Sequence, residues 1–151
     1  MNHEDTKSPS FLRNGPGKIA HAQYVPIPSE TERIATLIVD AAYTVHTVLG
    51  AGLLESVYEP CFCYEIQKRG LKFERQVVLP IIYDGVKLDN GFRLDVLVEG
   101  QVICELKAVA ELAPVHQVQL LTYLKLANKR LGFLINFNVP LIKDGIKRMV
   151  L

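Results

Sequence analysis

Long hydrophobic runs are missing. Apolar stretches are cut every few residues by Asp, Glu, Lys or Arg, so nothing approaches the roughly 18 uninterrupted apolar residues of a membrane span. The N-terminus lacks a cationic start followed by an apolar middle and a small-residue cleavage site, so no secretory signal is read and the expected location is the cytoplasm. Cysteine is scarce. Cys61, Cys63 and Cys104 cannot all pair with one another, and their spacing fits no two-pair zinc pattern. They are read as reduced thiols, with Cys104 as core filling between Ile103 and Glu105. Net charge is nearly absent at +1, and no internal repeat is evident. What is present is an ordinary mixture of apolar and charged residues over 151 positions, enough for one self-supporting core without disulfide or metal staples.

Residues 1–28 hold Pro9, Gly15, Pro16, Gly17, Pro26 and Pro28 among polar residues without sustained periodicity, and are expected to be a flexible tail. Residues 29–151 form the expected folded domain. Ser29 and Glu32 make a Ser-x-x-Glu capping box, after which Ile34, Leu37, Ile38, Ala41, Ala42, Val45, Val48 and Leu49 follow at helical spacing to Gly50. A link, Gly50-Ala51-Gly52, leads to a second helix from about Leu54 to Arg69, in which Pro60 fits only within the first turn. From Leu71 the period drops to two, which predicts strands. Turn signals stand at Asp84-Gly85 and Asp89-Asn90-Gly91, followed by strand runs 92–98 and 101–109 joined through Glu99-Gly100. Pro114 opens a third helix to about Lys129, with Val115, Val118, Leu121 and Leu124 as its expected apolar side. Residues 131–137 and 145–151 read as final strands. Helices, a run of strands, a helix and one or two strands define an α+β or mixed α/β fold.

The segment FRLDVLVEGQVICELKAV can be tested for register. A two-residue Glu99-Gly100 turn would pair Val98 with Gln101 and place charged residues beside apolar ones on the same side. Shifting the pairing by one residue, through a three-residue loop or a bulge at Gly100, gathers Phe92, Leu94, Val96, Val98, Val102, Cys104, Leu106 and Ala108 on one face. Arg93, Asp95, Glu105 and Lys107 then share the other. Burying an unpaired ion costs several kcal/mol, more than a bulge, so the shifted register is expected. Two carboxylates beside an amine have two readings. One is a solvated sheet face with cross-strand ion pairs contributing about 0.2 to 1 kcal/mol each. The other is a Mg²⁺ site, since Mg²⁺ takes one or two carboxylates and leaves positions for water and phosphate, with the ammonium stabilising developing charge.

Asp95 and, ten positions on, Glu105-Leu106-Lys107 on the next strand resemble the signature of the PD-(D/E)XK nuclease superfamily, with its core order αβββαβ and restriction-endonuclease-like fold. Gly52 to Tyr58 also reads GxxExxY and is similar to the small-protein family named for that motif. The likeness runs from about Ile34 to Val150, through LGAGLLESVYE, FRLDVLVEG, ICELKAV, VHQVQLLTYLKL and GFLINFN. It implies Asp95, Glu105 and Glu55 as metal ligands and Lys107 as the catalytic amine, acting with those three carboxylates. Gln119 and Tyr123, four apart on the third helix, resemble the QxxxY motif of RecB-like exonucleases and imply contacts with substrate. Leu94 stands where the superfamily name has Pro. His46 resembles the metal-binding histidine of some RecB-like nucleases, but a lone His within an amphipathic helix is a structural residue on this reading, and it is left out of the site.

Charge is unevenly spread. Residues 30–65 carry six acidic residues against Arg33, and residues 120–151 carry six basic residues against Asp144. A basic C-terminal third beside a carboxylate cluster could track a phosphate backbone or simply be a solvated surface, and no aromatic stacking platform is evident. The expected function is a Mg²⁺-dependent nucleic-acid phosphodiesterase, with Mn²⁺ as an alternative cofactor and DNA favoured over RNA. The alternative is a non-catalytic nucleic-acid-binding or protein-interaction module on the same scaffold. A homo-oligomer or a larger enzyme partner stays open.

Overall fold

A computed structural model describes residues 23–151. The periodic apolar stripe becomes α1 (Ser29–Leu49), which buries Ile34, Ala35, Ile38, Ala41, Ala42 and Val45. The bracketed link follows, with Gly52 at φ +95°, a conformation that side chains rarely adopt, and α2 (Glu55–Lys68) begins. A meander of β1 (Phe73–Tyr83), β2 (Val86–Val98) and β3 (Val102–Lys107) runs antiparallel. Helix α3 (Pro114–Ala127) then carries the chain over to β4 (Leu131–Asn136), which lies parallel to β3. A 3-10 turn (Ile142–Gly145) leads to β5 (Ile146–Val150), antiparallel to β4. The five strands lie in sequence order, a mixed sheet, because only the βαβ crossover makes a parallel pair.

Two cores cover the sheet. Helices α1 and α2 pack on one face over Val96, Val98, Val102, Cys104, Leu106, Leu131, Phe133 and Ile135. Helix α3 packs on the other over Leu94, Ile103 and Leu134. Gly132 permits that contact, since a Cβ there would lie 3.0 Å from a Leu120 methyl and 3.1 Å from the Ile103 carbonyl oxygen. Strands β3 and β4 are therefore apolar on both sides, as a strand with a parallel neighbour requires. Among the described residues no helix is long and apolar enough to cross a membrane.

Several sequence expectations change. The tail expected over residues 1–28 falls mostly outside the described residues, but 23–28 are held: Arg130 donates to the carbonyls of Val25 and Pro26, and Ile27 is buried. No capping box forms at α1. Pro28 occupies the cap position, and Glu32 instead pairs with Arg148 on β5, a charged partner stronger than a backbone amide. Pro60 lies in the second turn of α2, past the first-turn position expected, and the helix continues through it without the bond an N–H there would make to the Ser56 carbonyl. Asp89-Asn90-Gly91 is not a turn. Strand β2 runs through it, opposite a register shift between Leu79 and Ile81, and a Cβ on Gly91 would lie 1.8 Å from the Leu79 carbonyl oxygen. Glycine marks a close backbone approach here, not a reversal. On α3, Val115 and Val118 are exposed, and the buried side consists of Leu120, Tyr123 and Leu124.

Candidate active site

The connection between β2 and β3 is a three-residue loop, Glu99-Gly100-Gln101, with Glu99 and Gly100 both at positive φ and Val98 opposite Val102. This is the shifted register, and it carries Asp95 to Glu105. The expected sorting of side chains is only partly present, however. Val96 and Val98 face the α1–α2 core, whereas Leu94 and Phe92 face the α3 core. Strict alternation would keep Leu94 and Val96 on one side, so β2 turns over at Asp95. Exposed Arg93 therefore does not join the carboxylates.

At that point the ladder between β2 and β3 gives way to side-chain bonds. The Asp95 N–H donates to Glu105 Oε1 at 3.1 Å, and the Leu106 N–H donates to Asp95 Oδ2 at 2.8 Å. Among the described residues, Asp95 Oδ1 and Glu105 Oε2 receive no backbone donor. Glu105 is 6% exposed. Burial raises the pKa of both carboxyl groups; the Asp95 charge raises Glu105 further, and the Leu106 N–H pulls Asp95 back down. The interaction with the Glu105 side chain also lowers Asp95.

Lys107 is anchored through its backbone. Its carbonyl accepts from the Phe137 N–H at 2.9 Å, and it stands beside Asn136 in the parallel pairing. Asn136, buried, donates from Nδ2 to the Val109 carbonyl and accepts from the Val109 and Asn138 N–H groups at Oδ1. The strand carrying Lys107 is thus tied to β4 beyond its last paired residue. The Lys107 charge favours the ionised forms of Asp95, Glu105 and Glu55, although no salt bridge joins it to them among the described residues.

Glu55 is the first residue of α2 and is exposed. Partial desolvation and the Asp95 charge raise its pKa, Lys107 lowers it, and Glu59 raises it. Its position depends on Tyr58, whose ring stacks on Phe137 at 4.6 Å. The Tyr58 hydroxyl donates to the Gly50 carbonyl at 2.7 Å and accepts from the Leu53 N–H at 3.2 Å. The Tyr of the GxxExxY pattern therefore fastens the link preceding the Glu. Tyr58→Phe is expected to cost about 1 kcal/mol, seen as a thermal midpoint lower by about 2 to 4 °C in calorimetry.

Tyr123 is buried against Phe92, and burial followed by the Glu105 and Asp95 charges raises the pKa of its hydroxyl. Gln119, one turn earlier, is exposed, and no hydrogen bond ties it to Asp95, Glu105 or Lys107. His116 accepts from the Ala113 N–H through Nδ1, a helix-start contact. His46 bonds through Nε2 to the Val139 carbonyl, away from the carboxylates. Among the described residues no group of three His, Cys, Asp or Glu side chains is gathered as a metal cage. The pair still fits a hard cation, because two adjacent carboxyls are desolvated, the Asp95 charge opposes ionisation of Glu105, and each keeps an oxygen free of backbone donors among the described residues.

Glu59, with its partners Arg75 and Gln76, escaped sequence reasoning. Glu59, one turn after Glu55 on α2, binds Arg75 and Gln76 of β1, and its charge raises the pKa of Asp95 and Glu55. The spacing of four from Glu55 was the only signal, and it is common on helices. Two residues of the basic third have structural duties instead: Arg148 pairs with Glu32, and Arg130 also binds the Leu151 carbonyl. Lys125, Lys143 and Lys147 remain exposed.

A mixed sheet between two helical layers, with Asp and Glu-x-Lys at the point where two strands part, defines a restriction-endonuclease-like fold. The chain belongs to the PD-(D/E)XK nuclease superfamily, whose family model matches residues 32–149, from the first turns of α1 into β5. No curated protein and no solved structure matches the chain.

Proposed function

We propose that the protein is a divalent-metal-dependent nucleic-acid phosphodiesterase, favouring DNA, of the GxxExxY type. The observation that carries this reading is the reciprocal bonding of Asp95 and Glu105, which fixes two acidic groups side by side two residues from Lys107. Asp95 and Glu105 would hold Mg²⁺ or Mn²⁺, with Glu55 approaching from α2. Such a cation, when bound, supplies Lewis acidity toward a phosphate oxygen and acidifies coordinated water.

The side chains contribute the rest. Lys107 offers an ammonium to the charge that develops on the scissile phosphate, in surroundings where water is partly excluded. Asn136 holds the backbone from which it projects. The Tyr123 hydroxyl and Gln119 are suited to orient the substrate backbone, Tyr123 from a buried position and Gln119 from an exposed one. Lys125, Lys143 and Lys147 supply the sequence-independent attraction to phosphates that weakens as salt rises.

Cleavage of single- and double-stranded DNA and RNA with Mg²⁺ or Mn²⁺ tests this. DNA is expected to be cut only with the cation present, and Lys107→Ala is expected to slow cutting by about 10² to 10⁴-fold. Cutting that survives both Lys107→Ala and Asp95→Asn would reject the site. No cutting of any polymer, with no metal binding by calorimetry, would assign the scaffold to a binding module.

A further inference from the structure

Of the non-glycine residues at positive φ among those described, Asp84 and Glu99 stand in connections between strands, and Asn128 ends α3. Gln76, at φ +51°, lies in the interior of β1. A left-handed residue there interrupts a strand and costs free energy, so it persists only where its surroundings enforce it.

The enforcing contacts come from α2. Gln76 Nε2 donates to Glu59 Oε1 at 2.8 Å, and Arg75 Nη2 donates to Glu59 Oε2 at 2.9 Å. One carboxylate thus grips two successive residues of β1. Across the hairpin, Arg75 pairs with Val96 and Val77 with Leu94, so Gln76 stands against Asp95. Both strands change face at this level: Phe73 packs with the α1–α2 core and Val77 with the α3 core, as Val96 and Leu94 do.

We infer that Glu59, Arg75 and Gln76 form a clamp that positions Asp95. Holding Gln76 left-handed turns β1 and β2 over together, which directs the Asp95 carboxylate to the Leu106 N–H and the Asp95 N–H to Glu105. These are positioning residues, and their importance for cation binding rests on the reading of the site proposed above. Because Glu59 lies one turn beyond Glu55, the clamp also fixes the start of α2 relative to the strand carboxylates.

The test uses the full metal-free chain, following amide hydrogen exchange and chemical shifts by NMR in Gln76→Val and Glu59→Gln. Val favours the extended conformation, whereas Glu59→Gln leaves β1 unaltered and covers the case in which the Val variant fails to fold. Protection of the Leu106 and Asp95 amides is expected to fall about tenfold, the size of one net hydrogen bond, while Ile103 and Ile135 keep theirs. The Mn²⁺ dissociation constant is expected to rise by a similar factor. Unchanged Leu106 and Asp95 amides in both variants would overturn the clamp. Loss of their protection when even the parent chain binds no Mn²⁺ would uphold the clamp and reject the metal site.

Discussion

Glu105→Gln is expected to make the metal-free protein more stable and, at the same time, to lower cleavage by about a thousandfold or more. The two effects share one cause. Glu105 is buried beside Asp95, whose charge opposes its ionisation. An amide of the same shape still accepts the Asp95 N–H at its oxygen, now bonded at 3.1 Å to Glu105 Oε1, and offers its nitrogen to the Asp95 carboxylate. An amide needs no proton taken up on folding, so the change is expected to add about 2 kcal/mol at neutral pH, raising the thermal midpoint by about 4 to 8 °C. The same change removes an anionic oxygen from the pair that would hold the cation. A residue retained only for structure would give the opposite result, lower stability with activity following it down. Calorimetry without metal, run beside cleavage with it, separates the two cases.

The sequence made the site's main axis legible because β-register follows from where charge can be buried. Val98 opposite Val102 was the arrangement that kept Asp95 and Glu105 together, and the fold has it. Alternation failed at the same place. Leu94 and Phe92 cross to the α3 side because β2 turns over at Asp95, a feature held from outside the strand by Glu59 through Gln76. A contact between residues 17 apart leaves no local pattern in either segment. Gly91 was misread for a related reason. Glycine after Asp-Asn signals a turn locally, but here its missing side chain makes room for the Leu79 carbonyl across the hairpin. On α3, the apolar Val115 and Val118 drew the predicted stripe to the wrong side, since which side is buried depends on the sheet beneath, not on the helix.

Without metal, stability is expected to fall as pH rises from about 5 toward 9, and a divalent cation is expected to oppose that fall. Burial and the neighbouring charge of Asp95 push Glu105 up to about 9, from an ordinary value of 4.5. Asp95 is raised as well, by burial first. A carboxyl whose folded pKa is raised binds more protons folded than unfolded, so its contribution is intact below the unfolded value and is lost through the window up to the folded one. The acids Glu30, Glu32 and Glu65 have the opposite sign. Hydrogen bonds from Arg33, Arg148 and Arg69 lower their pKa values, so their contribution disappears only in more acid solution. The stability maximum of the metal-free chain should therefore lie on the acid side of neutrality. Unfolding free energies from denaturant titrations at pH 5 and pH 8 in a chelator are expected to differ by roughly 2 to 3 kcal/mol, a fraction of the full desolvation cost of one ion. A cation competes with the proton for the same oxygens, so its binding tightens as pH rises. At a hundredfold excess over its dissociation constant it adds about 2.7 kcal/mol, and Mg²⁺ or Mn²⁺ should therefore remove most of the difference at pH 8 and little of the stability at pH 5. Glu105→Gln should flatten the alkaline limb and abolish the response to metal. A chain whose midpoints are equal at both pH values, and unmoved by either cation, would show that these carboxyls carry neither the strain nor the site.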